Sequence, residues 1–113
     1  MPCDDVETKE REAVYYQDAH GKKPYQLWRN GIRDKRAKAA IDARITRMRA
    51  GNFGDSKAVG ESVSESRIDL GPGYRVYYGV DGDKIILLCG GNKDTQGDDI
   101  ESGQHFWLSL IHI

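Results

Sequence analysis

Residues 64–89 constrain the fold most, because they hold three strand-like runs separated by two glycine turns. Residues 64–70 and 74–80 flank Gly71-Pro72-Gly73, and Asp81-Gly82 leads from the second run into residues 84–89. Tight turns between strand runs predict an antiparallel meander. Asp81-Gly82 suits a two-residue type I′ loop, in which both central positions need φ > 0. Gly73 suits the left-handed position of a three-residue loop. The run Ile85-Ile86-Leu87-Leu88 predicts a strand buried on both faces.

Side chains on a strand alternate faces, so a one-residue slip exchanges the faces completely. A three-residue loop sets Leu70 opposite Tyr74 and Ile68 opposite Val76. It gathers Ser66, Ile68, Leu70, Tyr74, Val76, Tyr78, Ile85, Leu87 and Cys89 on one face. Arg67, Asp69, Arg75, Tyr77, Ile86 and Leu88 fall on the other. Arg75 then sits on a central strand with Asp69 across from it. Two readings stay open: a plain cross-strand ion pair, or a partly desolvated guanidinium that recognises an oxyanion.

The residues before the meander read as a short strand over 12–16 and a turn over 18–22 that includes His20. A helix is predicted from Pro24, which fits the first helical position, with Tyr25, Leu27 and Trp28 as its apolar contacts and Gly31 as its stop. Asp34 is the expected N-cap of a second helix running to about Ala50, with Ile41, Ile45 and Met48 as its apolar stripe. These two helices are expected to form a hairpin. Residues 52–60 read as a loop, Gly90-Gly91 as the end of the third strand, and residues 95–113 as a last helix with Ile100, Trp107 and Leu110 or Ile111 on one face. Residues 1–11 lack apolar periodicity and are expected to be a disordered tail, leaving 12–113 as one α+β domain.

The chain has 113 residues and a net charge of −1, which gives no global case for nucleic-acid binding. Residues 29–49 are nevertheless strongly basic, between acidic stretches at 4–12 and 98–101. The sequence shows no bilayer-length apolar run and no signal pattern, so a cytoplasmic protein is expected. Cys3 and Cys89 have no metal-ligand spacing, and Cys89, in its apolar run, is expected to be a buried thiol.

Three stretches carry a resemblance: RMRAGNFGDSKAVG from Arg47, VSESRIDLGPGYRVYYG from Val63, and LLCGGNKDTQ from Leu87. With Trp28 and Ile32-Arg33-Asp34 before them, they resemble the phage-derived Gp49-like, or addiction-module killer (HigB-like), branch of the RelE/ParE toxin superfamily. The resemblance covers roughly residues 12–107. It implies an N-terminal helical hairpin packed on a twisted antiparallel sheet, followed by a C-terminal helix. It also implies the toxin of a bacterial type II toxin–antitoxin pair, with a helix-turn-helix antitoxin as partner and no membrane. RelE-like members cleave mRNA on the ribosome, whereas ParE-like members poison DNA gyrase without the nuclease residues.

Metal-free RNA cleavage, which calls for no metal or cofactor, uses the 2′-OH as nucleophile. It needs a base, positive charge on the phosphoryl oxygens, and an acid for the leaving 5′-oxygen. The resemblance assigns the positive charge to Arg67, Arg75 after Gly-Tyr, and Lys93 after the last strand. Lys57 and Tyr77 are candidate substrate contacts: an exposed loop lysine in the plain reading of the first, a core ring in that of the second. Tyr74 is given a packing role. Base and acid are unassigned, with Asp69 and Asp94 as nearby carboxylates, and His105 and His112 lie outside the matched stretches. The basic residues Arg33, Lys35, Arg36, Lys38, Arg44, Arg47 and Arg49 read as a solvated face or as a docking face for ribosomal RNA.

The chain departs from the family at Ser66, where leucine is usual, at Arg29, at Gly103 in the last helix, and at its final residues. On the predicted register Ser66 faces the core, so leucine there is expected to stabilise. These departures keep a degenerate toxin, which only binds its antitoxin, beside the nuclease and gyrase readings.

Overall fold

The computed structural model describes residues 10–111. Cys3, His112 and most of the expected N-terminal tail lie outside them. Strands are β1 (Glu12–Tyr15), β2 (Ser56–Gly60), β3 (Val63–Ile68), β4 (Tyr74–Asp81) and β5 (Lys84–Asn92). Helices are α1 (Pro24–Gly31), α2 (Lys35–Arg49) and α3 (Gln96–Ile111), the last preceded by a short 3₁₀ turn, Lys93–Thr95. The strands form one five-stranded sheet in the order β1-β5-β4-β3-β2. It is mixed rather than antiparallel, because β1 pairs parallel with β5. The whole is α+β. Among the described residues no helix is long and apolar enough to cross a membrane.

Helix boundaries follow from local chemistry. Pro24 opens α1, and the Asp34 carboxylate caps α2 by accepting from the backbone N–H groups of Arg36 and Ala37. Arg29 of α1 pairs with Asp42 of α2. Arg11, expected in the tail, is held: its N–H donates to the Arg49 carbonyl at 2.7 Å and its guanidinium lies over the Phe53 ring.

Each sheet face carries its own core. Tyr25 of α1 and Ile41 and Met48 of α2 meet Ile68, Val76, Tyr78, Ile85 and Leu87 on one face. On the other, Trp107 of α3 meets Val63, Tyr77, Ile86, Leu88 and Cys89. The apolar run in β5 is buried on both faces, as its composition predicts.

The β3–β4 register differs from the expected one in an informative way. Ile68 pairs with Tyr74, Ser66 with Val76, and Arg67 with Arg75. The loop therefore runs from Asp69 to Gly73, two residues longer than expected, with Gly73 at φ +82. A two-residue change preserves which side chains share a face. It removes Asp69 from its place opposite Arg75 and puts Arg67 there.

Three further differences have local causes. Residues 56–60 form an edge strand, not a loop, and the turn after it, Glu61-Ser62, has both φ values positive, 56 and 66. Asp81 pairs with Lys84, so the second loop is Gly82-Asp83, with only Gly82 in the left-handed region. In β5 the register shifts at Leu88, with Tyr78 opposite Leu87 and Tyr77 opposite Cys89. This bulge moves Cys89 to the α3 face and lets the strand continue through Gly90-Gly91. A Cβ at Gly90 would overlap the Trp28 ring, and one at Gly91 would overlap the Asp99 carboxylate. Those glycines admit side chains from the helices rather than ending the strand.

Candidate functional site

β3 and β4 place Arg67 and Arg75 directly opposite each other, on the face that α3 covers farther along. Gly91 of β5 is the next residue in that row, opposite Arg75, and adds no side chain. The bulge at Leu88 brings Gly91 there, and the chain then leaves the sheet at Lys93. The Asn92 side chain caps the Lys93–Thr95 turn, accepting from the backbone N–H groups of Asp94 and Thr95. A Cβ built on Gly73 would stand 3.6 Å from Lys93 Cβ, so the Gly-Pro-Gly loop packs against the lysine stem.

The result is a cleft of about 380 Å³ lined by Arg67, Arg75 and Lys93, with Asp55, Asp69 and the Gly71-Pro72-Gly73 loop around them. All three cations assigned to phosphate contact share this cleft. Arg67 donates through Nη2 to Asp55 Oδ1 at 3.3 Å, with the two side chains 39% and 53% exposed. Its backbone N–H donates to the Asp55 carbonyl at 2.9 Å. Its own carbonyl accepts from Arg44 Nη1 at 2.8 Å. Burial pulls the Arg44 guanidinium down from its ordinary value. The Nε atoms of Arg67 and Arg75 are buried without a hydrogen-bond partner. A guanidinium offers five donors in a fixed fork, so both arginines retain donor capacity for an oxyanion.

The remaining candidates fall elsewhere. Tyr77 is fully buried, and its hydroxyl donates to Glu65 Oε2 at 3.0 Å. Burial first, then that contact, pushes its phenol far above the ordinary value. It is a core ring, not a stacking platform for substrate. Lys57 is exposed on β2 opposite Glu65 and lies outside the cleft lining. Tyr74 packs edge-on to Trp28. Asp94 is exposed beside Lys93 but does not line the cleft. His20 and His105 are exposed, the first within the Asp18 turn and the second on α3.

Sequence reasoning missed Asp55 and Glu65. Asp55 reads as a turn residue after Gly54, and nothing in GNFGD announces a partner for Arg67. Glu65 had a signal: it shares Arg67's parity on β3 and therefore faces the α3 side of the sheet. It is fully buried there.

The chain is 48% identical over 81 residues to an uncharacterized protein of Haemophilus influenzae, a match covering 71% of this chain and 82% of that protein. The chain belongs to that protein's family. No family model matches it. No solved structure matches it.

Proposed function

We propose that this protein is the toxin of a bacterial type II toxin–antitoxin pair and acts in the cytoplasm as a metal-independent mRNA endoribonuclease on the ribosome. The observation that carries the reading is the convergence of Arg67, Arg75 and Lys93 on one cleft. RelE/ParE likeness supports it through the motif stretches. So does the order of elements, with α1 and α2 as the helical hairpin joined by Arg29–Asp42.

In the proposed reaction the 2′-oxygen forms a bond to phosphorus and the bond to the 5′-oxygen breaks. The products are a 2′,3′-cyclic phosphate and a free 5′-hydroxyl. A base takes the 2′-OH proton and an acid supplies one to the leaving oxygen. Arg67 and Arg75 hold the phosphoryl oxygens as their charge rises, and Lys93 adds a third cation at the mouth. Asp55 and Asp69 are the carboxylates within the cleft lining. Arg33, Lys35, Arg36, Arg47 and Arg49 are exposed along and just before α2, a surface suited to ribosomal RNA or to an acidic stretch of a helix-turn-helix antitoxin.

A second reading is a ParE-type inhibitor of DNA gyrase, favoured by a cleft lining that contains no histidine. A pulse of expression in cells, with mapping of new mRNA 5′ ends for the wild type and Arg75→Ala, separates the two. Cleavage within translated frames is expected, reduced in Arg75→Ala by about a hundredfold or more, the scale of one lost oxyanion donor. Growth arrest with intact mRNA would reject the nuclease and turn attention to gyrase. Absence of arrest would leave a degenerate toxin.

A further inference from the structure

The α3 face of the sheet holds a buried carboxylate that the proposed reaction does not use. Glu65 has no exposed surface. Its Oε2 accepts from the Tyr77 hydroxyl at 3.0 Å and from Gln96 Nε2 at 2.8 Å, while Oε1 is buried with no hydrogen-bond partner. A carboxylate taken out of water without full compensation is costly, so a fold that keeps one needs a reason for it.

The placement supplies the reason. Glu65 stands two residues before Arg67 on β3. Tyr77, its cross-strand neighbour, stands two residues after Arg75 on β4. Gln96 stands three residues after Lys93, at the start of α3. One carboxylate oxygen thus joins β3 and β4, which carry Arg67 and Arg75, to the first residue of α3, which follows the turn that carries Lys93. The same side of the sheet holds the unpaired Nε atoms of Arg67 and Arg75. Arg75 is the diagonal neighbour of Glu65 across the strand pair, a separation that long side chains span.

We infer that Glu65 is a positioning residue for this anion site, fixing the relative places of Arg67, Arg75 and Lys93 through Tyr77 and Gln96. The inference rests on the anion-site reading of the cleft and goes beyond it by assigning what builds the site.

The test compares full-length wild type, Glu65→Gln and Gln96→Ala. Two quantities are read: affinity for inorganic phosphate, and the Nε–Hε NMR signals of Arg67 and Arg75, with Arg29 as a remote control. Both variants are expected to weaken phosphate binding about tenfold, the scale of one charge-assisted hydrogen bond. Both are expected to move the Arg67 and Arg75 signals while Arg29 stays in place. Gln96→Ala keeps the Glu65 carboxyl group, so tighter binding in Glu65→Gln with no change in Gln96→Ala would reduce Glu65 to an electrostatic influence on the site and overturn the inference. Lower melting temperatures with unchanged affinity and unmoved arginine signals would make it a core residue only, and would overturn it too. If Glu65→Gln fails to fold, Gln96→Ala and Tyr77→Phe decide by the same criteria. If the wild type does not bind phosphate, the anion-site reading falls, and the positioning role is judged by the arginine signals alone.

Discussion

Ser66 has no exposed surface, and its hydroxyl accepts from Arg44 Nη1 at 2.9 Å. The same guanidinium nitrogen donates to the Arg67 carbonyl. A leucine there would have to fit a filled space and would leave a half-buried guanidinium short of a partner. The expectation that Ser66→Leu stabilises therefore reverses. The variant should lose about 2–4 kcal/mol, combining overpacking with a stranded donor, and Ser66→Ala about 1 kcal/mol. Urea midpoints for the pair check this, and a higher midpoint for the leucine variant would refute the Arg44 account. Cys89 offers a second residue-level prediction. Burial first, then the nearby Asp99 charge, pushes its thiol from 9.0 up to about 12. The native state therefore holds this proton more tightly than the unfolded chain does. That contribution to stability is complete below about pH 9 and is lost as pH climbs toward 12. In a Cys3→Ser background at pH 8, alkylation of native Cys89 should be slower than that of the unfolded chain by on the order of a thousandfold.

At the scale of elements, the turn between β2 and β3 sets two non-glycine residues, Glu61 and Ser62, in the left-handed region. Type I′ loops prefer Asn-Gly because those residues enter that region at little cost. The double change Glu61→Asn, Ser62→Gly should raise stability by about 1 kcal/mol, and an unchanged thermal midpoint would show that the turn carries no strain. This hairpin escaped the sequence because Ser-Lys-Ala-Val-Gly is a short, largely exposed edge segment with no apolar alternation. The β3–β4 hairpin was legible in a different sense. Parity alone placed Arg67 and Arg75 on one face, and lengthening the loop from three residues to five leaves parity unchanged. What parity cannot supply is the partner, so Asp69 was matched to Arg75 in a place that Arg67 occupies. The bulge at Leu88 was hidden for another reason: every position from Ile85 to Leu88 is apolar, so no alternation breaks when one residue is inserted. Gly103 reads as a helix weakness in the sequence. In the fold a Cβ there would stand 3.4 Å from Tyr77 Cβ and 3.6 Å from Cys89 Sγ. Those are ordinary van der Waals distances, so the position faces the sheet without requiring glycine.

Over the whole molecule, a net charge of −1 means that any attraction to RNA is local. Two local sources exist, the three cations of the cleft and the exposed basic residues of α2, and the sheet separates the face that carries one from the face that packs the other. Salt dependence distinguishes them, because each phosphate neutralised by a cation releases condensed counterions. For a short single-stranded RNA, log affinity against log salt should flatten by about 0.7 in Arg75→Gln, the value for one lost contact on a single strand. Arg36→Gln with Arg47→Gln should leave that slope intact if the cleft alone holds the strand, yet weaken association with ribosomes if α2 is the docking face. Equal flattening by the cleft and α2 variants would mean that the RNA is held by diffuse charge. The convergence of Arg67, Arg75 and Lys93 would then lose its claim to be a site, and the gyrase reading would gain. A loss confined to Arg75→Gln would tie the RNA to one place on the sheet, where the β3–β4 register, the Leu88 bulge and the Asn92 cap together bring the three cations into one cleft.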